Sequence, residues 1–326
     1  MRFLLRSVVL TLAAFGVATV LASVFVALRW RTPDGDAARR ASRLWHMRVL
    51  PLAVAVAMGV FVVIGLWRFE ARHDDEHFGW ILRICATLGA VFVVTMLVRL
   101  VRLHLETRRL LAVWLKNATT FTCPEVPGLA RLTIPAYRID THFPVVAVVG
   151  IVRPILVVDK TVLEGCSTEE LAAILAHEQG HLDRYDNLRR ALFAASPDLL
   201  AWTSIGPALR QAWREATEEA ADDVAAATSE DAGVHLAGAL IHVARIAQDS
   251  HAGCSSEWHA AHLPASALYR GESIERRVRR LLAPAQAGTP THRHWGAAMM
   301  AMATVLAFTF QRELHDVMEV VVNGLW

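Results

Sequence analysis

Four stretches of the chain carry no charged residue, and their lengths approach or match those of membrane crossings. Ser7–Leu28 runs 22 residues without a charge, Val49–Trp67 runs 19, Ile84–Val98 runs 15 and Trp295–Gln311 runs 17. A spanning helix needs roughly 20 apolar residues, within a range of about 17–25. Arg83 and Arg99 lengthen the third stretch if their charged heads snorkel to the interface. The pattern predicts membrane helices at about residues 5–28, 47–67 and 80–101, and a fourth within 293–326 that ends in a short external tail. A cleaved signal peptide is the alternative for the first, with Arg2 and Arg6 as its basic region and Ala22-Ser23 as a cut site. Signal cores usually run about 7–15 residues, shorter than this stretch.

Between the third and fourth stretches the pattern changes, and residues 103–292 are long enough for one domain with its own core. Val145–Val149 and Ile155–Val158 are short β-branched runs separated by Gly150 and Arg153-Pro154, which reads as a hairpin or two paired strands, with the proline favouring an edge position. Ser167 followed three residues later by Glu170 is a capping box. It opens a helical pattern with Leu171, Ile174 and Leu175 that runs to about Ala195. Further helices are expected at about Pro207–Ala227, Val234–Ala247 and Ser273–Leu282. The fold class is therefore mainly α: a multi-span helical membrane protein with an α+β domain made of a small sheet and several helices.

The charges orient this arrangement. The segment after the first stretch holds Arg29, Arg31, Arg39, Arg40, Arg43 and Arg48, and Arg99, Arg102, Arg108 and Arg109 follow the third. The segment after the second holds Asp74, Asp75 and Glu76 against Arg68 and Arg72. Basic loops stay on the cytoplasmic side, so the large domain is expected in the cytoplasm of a cell with a bacterial-type inner membrane, with both termini outside. Arg2 and Arg6 argue weakly against an external N-terminus. Trp30, Trp45, Trp67, Trp80 and Trp295 fit interfacial belts. The composition agrees: 54% of residues are hydrophobic, mean hydropathy is +0.35, and a net charge of +2 gives no sign of a nucleic-acid partner. Cys85, Cys123, Cys166 and Cys254 form no CxxC pair and are expected as free thiols.

The chemistry sits in the first helix of the large domain, as His177-Glu178-Gln179-Gly180-His181. Two histidines four residues apart share a helix face and can grip one zinc ion, at about 2.0–2.1 Å per nitrogen. Glu178 stands beside the first ligand and can take a proton from an attacking water without ligating the metal. A catalytic zinc needs a third protein ligand. Glu218 and Asp222, again four apart, offer a ligand and a carboxylate that orients an imidazole. Glu219 with Asp223 is the alternative register. His235 and His242 on the next helix read first as histidines that pack or face solvent and second as transition-state donors. The grouping of His251, Cys254, His259 and His262 reads first as a flexible loop and second as another metal site.

These motifs resemble the membrane-embedded metallopeptidases of the BlaR/MecR antirepressor type. The matching segments are Gly150-Ile-Val-Arg153-Pro154-Ile-Leu-Val, His177-Glu178-Gln-Gly-His181-Leu-Asp-Arg184-Tyr-Asp186, Glu218-Glu-Ala-Ala-Asp222 and Glu275-Arg-Arg-Val-Arg-Arg-Leu-Leu282. The resemblance implies one Zn2+ per chain in a gluzincin-type site, with His177, His181 and Glu218 as ligands, Glu178 as general base and Asp222 behind a ligand. It makes Arg184 and Asp186 helix-stabilising partners outside the chemistry. The implied activity is regulatory endoproteolysis of a protein or peptide, such as a transcriptional repressor or the chain itself. Strand addition along Val145, Val146, Ala147 and Val148 would hold the substrate. Only Arg312–Trp326 follow the fourth stretch, where the β-lactam receptors carry a sensor, so β-lactam sensing is not expected. Two other readings compete: a quality-control protease resembling the HtpX/Ste type, and a receptor or scaffold that keeps a metal without catalysis. Glu178 argues against the last, because pure metal binding does not need it.

Overall fold

A computed structural model of the chain describes residues 2–31, 33–69, 79–120, 133–140, 146–196, 199–200, 203–251 and 271–283. Val145, the fourth apolar stretch at 295–311, and Cys254, His259 and His262 lie outside these residues.

Three helices are long and apolar enough to cross a membrane among the described residues: α1 (Arg2–Arg29), α2 (Ala37–Phe69) and α3 (Trp80–Trp114). Their outward surfaces are apolar, as a lipid environment requires: Leu21 is 65% exposed and Leu28 81%. α1 and α3 touch backbone to backbone. A Cβ on Gly89 would lie 1.9 Å from the Leu12 carbonyl oxygen, and one on Gly16 would lie 2.7 Å from that of Cys85. Small residues at such a crossing let dispersion contacts form without a side chain between the backbones. Inside α1 the buried Thr19 and Ser23 hydroxyls donate to the Phe15 and Thr19 carbonyls, so neither is left unpaired in an apolar surrounding.

All three helices extend beyond the predicted apolar stretches, α1 by a few residues and α2 and α3 by whole turns. α2 begins at Ala37, where Asp36 Oδ1 accepts from the Arg39 N–H at 2.8 Å. The end of α3 places Trp114, Leu110 and Leu111 under one face of a four-stranded sheet, against Ile139, Ala147, Val149 and Val157. The sheet order is β1 (Thr119–Thr120), β2 (Ala136–Ile139), β4 (Ile155–Asp159), β3 (Val146–Val149). β3 and β4 pair antiparallel, with Val148 opposite Leu156, and β2 and β4 pair parallel. Gly150 turns between β3 and β4 at φ 108, a conformation closed to most side chains. The edge expectation from Pro154 fails. β4 is flanked on both sides, Pro154 stands just before it, and Leu156 already donates to the Pro135 carbonyl; among the described residues the outer strand on this side of the sheet is β3.

The other face of the sheet meets the helices. After the short α4 (Lys160–Gly165), α5 (Thr168–Asp183) opens with the expected capping box between Ser167 and Glu170. Leu156, Val158, Ile174, Leu240 and Val243 form the core between sheet, α5 and α8 (Ala232–His251). Each large aliphatic side chain buried there contributes about 1.5–3 kcal/mol. The helical pattern is not continuous to Ala195: Tyr185 takes φ 54, and the chain breaks into α5 and α6 (Asp186–Ala195). α7 (Ile205–Ala226) and α9 (Gly271–Leu281) complete the domain. The inner ends of α1 and α2 dock on it through Val26, Ala41 and Leu44 against Phe193, Leu209 and Trp213. Arg48 and Arg99 both donate to the Ser196 carbonyl at the end of α6. The Trp45 indole donates to the Arg189 carbonyl, so this tryptophan is a docking contact between α2 and α6.

Candidate metal centre

One turn of α5 separates His177 from His181, and their Nε2 atoms face each other at 3.2 Å. Two nitrogens bound tetrahedrally to one ion at about 2.0–2.1 Å stand about 3.3 Å apart, so the imidazoles already hold the separation of paired ligands. α7 brings the third group. Glu218 Oε2 lies 3.6 Å from His177 Nε2, and Glu218 Oε1 lies 3.7 Å from His181 Nε2. One ligand atom from each of the three residues falls within 4.8 Å of the others. The approach of α7 depends on the glycine inside the motif. A Cβ on Gly180 would stand 3.2 Å from Val224 Cβ and 3.3 Å from Ala221 Cα.

A carboxylate backs each imidazole. His177 Nδ1 lies 3.0 Å from Asp222 Oδ1, and His181 Nδ1 lies 2.8 Å from Asp186 Oδ2. With a proton on each Nδ1, both Nε2 lone pairs point into the cluster. The carboxylates are held in turn by arginines. Arg277, from α9 and only 1% exposed, makes a bidentate pair with Asp222 at 2.8 and 2.6 Å and sets Nη1 3.4 Å from Glu218 Oε2. Arg184 donates to Asp186 at 2.9 Å and to the Thr217 carbonyl on α7 at 3.1 Å.

The electrostatics favour positive charge between these groups. Burial alone would lower the His177 imidazole, but Asp222 and Glu218 outweigh it and hold it up at about 9. Burial alone would raise Glu218, yet His177, His181 and Arg277 hold it well below the usual carboxylate range. Asp222, opposed by burial and favoured by Arg277 and His177, falls to about 2. Glu178 goes the other way: burial pushes its carboxyl up, and the neighbouring imidazoles offset this only in part. A buried carboxyl shifted toward neutrality suits proton transfer.

Glu178 also touches the sheet. Its Oε2 accepts from the Val148 N–H of β3 at 3.1 Å. Asn187, at the start of α6, donates from Nδ2 to the Val148 and Gly150 carbonyls at 2.9 and 3.0 Å. The edge strand is thereby fixed beside the motif.

The donor set fits a divalent ion such as zinc: two imidazole nitrogens, one carboxylate, and a Glu218 Oε2 that is buried with no hydrogen bond among the described residues. The structure brings His177, Glu178, His181, Glu218 and Asp222 together, with Val148 of the strand set beside them. It does not bring Glu219, which pairs with Arg40 of α2 and lies 3.6 Å from Arg276. Nor does it bring His242, whose Nδ1 lies 3.0 Å from Glu170 Oε2. Asp186 and Arg184 are more than helix partners, because Asp186 orients a candidate ligand. Sequence reasoning missed Arg277 and Asn187; the run from Glu275 to Leu282 was a signal for the first, and nothing local pointed to the second.

Residues 147–278 match the profile of Peptidase family M48. No curated protein matches the chain. The match and the three apolar helices together support a membrane-associated metallopeptidase. The finer likeness to the BlaR/MecR type does not follow from that match.

Proposed function

We propose that the chain is a membrane-tethered, zinc-dependent endopeptidase that cleaves peptide bonds on the cytoplasmic side in regulatory proteolysis. The observation that carries the reading is the convergence of His177 Nε2, His181 Nε2 and a Glu218 oxygen within 4.8 Å, with the raised carboxyl of Glu178 beside them. The matched peptidase profile spans all four residues. Cytoplasmic placement rests on the arginines that follow the first and third apolar stretches, Arg29 to Arg48 and Arg99 to Arg109. The regulatory role rests on the BlaR/MecR-like motifs.

His177, His181 and Glu218 would hold the ion, and a bound Zn2+ would supply Lewis acidity to water and to the scissile carbonyl. Asp222 and Asp186 keep the two imidazoles in the ligating tautomer and orientation. Glu178 accepts a proton from the attacking water and delivers it to the leaving amine, which regenerates the carboxylate. A peptide laid along β3 extends the sheet at its edge beside Val146 and Ala147, while the N–H and C=O of Val148 are held by Glu178 and Asn187. Asn187 fixes the height of that strand against α6.

The test uses the full chain in detergent micelles and a library of peptides. The parent cleaves members of the library, while Glu178→Gln keeps its metal and loses about a hundredfold to ten-thousandfold in rate, the range of one general base. Equal cleavage by parent and variant at equal metal content would refute the assignment.

A further inference from the structure

A second group of metal-type donors lies at the other end of α5. Cys166, Glu170 and His242 each offer a ligand atom, and those atoms all lie within 4.8 Å of one another. Cys166 immediately precedes the capping residue Ser167, Glu170 is in the first turn of α5, and His242 comes from α8. None of the three belongs to the His177 centre. Glu170 and His177 are seven residues apart, so they share a face of α5 about 10 Å apart along the axis.

The capping box accounts for one carboxylate oxygen of Glu170, since Oε2 accepts from the Ser167 N–H at 2.9 Å. It does not account for the rest. Oε1 sits against α8 where Gly238 leaves room, and a Cβ there would lie 2.7 Å from it. His242 brings Nδ1 to 3.0 Å from Oε2 while its side chain remains 44% exposed, which leaves an entry path from solvent. Cys166 is a free cysteine at 9% exposure. Burial and the Glu170 carboxylate push its thiol up to about 11, so it is not a resting thiolate nucleophile.

We infer that Cys166, Glu170 and His242 form a second metal site, selective for a borderline-soft divalent cation such as Zn2+, that ties the start of α5 to α8. The charges balance: a thiolate and a carboxylate neutralise the ion, imidazole adds a neutral donor, and the thiol proton leaves to solvent as the sulfur ligates. Sulfur with imidazole selects against magnesium and calcium, which take oxygen donors. The three-ligand set leaves a coordination position open toward the exposed side of His242. Its consequence is structural, because α5 carries His177 and His181 about two and three turns further on.

Cobalt separates this site from the first, whose donors include no sulfur. The full chain in micelles is stripped of metal and titrated with Co2+. The parent should show a sulfur-to-cobalt charge-transfer band in the near ultraviolet whose final amplitude corresponds to one sulfur-bound Co2+ per chain, whichever centre fills first. Cys166→Ser should abolish the band, and His242→Ala should weaken Co2+ binding at this site at least tenfold. His177→Ala should leave the band intact. The band reports sulfur ligation alone, so it stands or falls independently of whether the first centre binds an ion or cleaves a peptide. His242 is partly exposed, so its variant keeps the test valid if Cys166→Ser unfolds. Absence of the band in the parent, its persistence in Cys166→Ser, or its insensitivity to His242→Ala would overturn the site.

Discussion

At the scale of single residues, the two imidazoles matter less by themselves than by what stands behind them. Asp222 lies 3.0 Å from the Nδ1 of His177 and Asp186 lies 2.8 Å from that of His181, and Arg277 and Arg184 hold the carboxylates in place. Removing such an outer partner typically costs about 10–100-fold in metal affinity. Asp222→Asn should therefore weaken zinc binding by that factor in competition with a chelator of known affinity, and unchanged binding would contradict its role. The same pocket makes a prediction about pH. His177 is held near 9 in the folded, metal-free protein against an ordinary value near 6.5. A raised folded value favours folding fully below pH 6.5, and the contribution fades as pH rises through about 9. Thermal melts of the metal-stripped protein should thus show a midpoint that falls between pH 6.5 and 9, and zinc-loaded protein should lose this dependence. The motif residues were readable because H-E-x-x-H and Glu218 with Asp222 follow helical spacing. Asp186 reaches His181 only because Tyr185 adopts a left-handed conformation that few non-glycine residues take, and spacing alone does not reveal it.

Elements were legible where the signal was local. The capping box placed the start of α5 within one residue, and the β-branched runs gave β3 and β4. Their positions in the sheet were not legible, because strand order depends on β2, a partner distant in sequence and parallel to β4. The convergence of α5, α7 and α9 is likewise non-local; it rests on one close approach and one buried arginine. Gly180 lets α7 come near enough for Glu218 to reach both imidazoles. In a Cys166→Ser background, Gly180→Leu should force the two helices apart and remove stable metal binding at the His177 centre, and Gly180→Ala should show a milder form of the same loss. Equilibrium dialysis with zinc checks both, and full binding by the leucine variant would show that the helix spacing does not control the site. Arg277 works from α9, a buried cation whose loss would leave Asp222 and Glu218 facing only the imidazoles.

For the whole molecule, the question is how a membrane region and a peptidase-like domain act as one body. α2 and α3 run past their apolar stretches and become part of the domain, through Arg48 and Arg99 on Ser196, Arg40 on Glu219, and Trp114 under the sheet. The basic residues that suggest a cytoplasmic loop are therefore also docking contacts. That placement can be checked with cysteines introduced singly at position 75 and at position 36 in a background lacking native cysteines. An impermeant thiol reagent added to intact cells should label the first and spare the second, and the reverse pattern would invert the topology. The claim on which everything else rests is that His177, His181 and Glu218 share one ion. X-ray absorption at the zinc edge of the Cys166→Ser protein addresses it directly. The predicted spectrum has a shell of nitrogen and oxygen donors at about 2.0–2.2 Å with the outer scattering of two imidazoles, and it disappears with the bound zinc in His177→Ala. A protein that binds no zinc, or whose spectrum is unchanged in His177→Ala and in Glu218→Ala, would contradict the account.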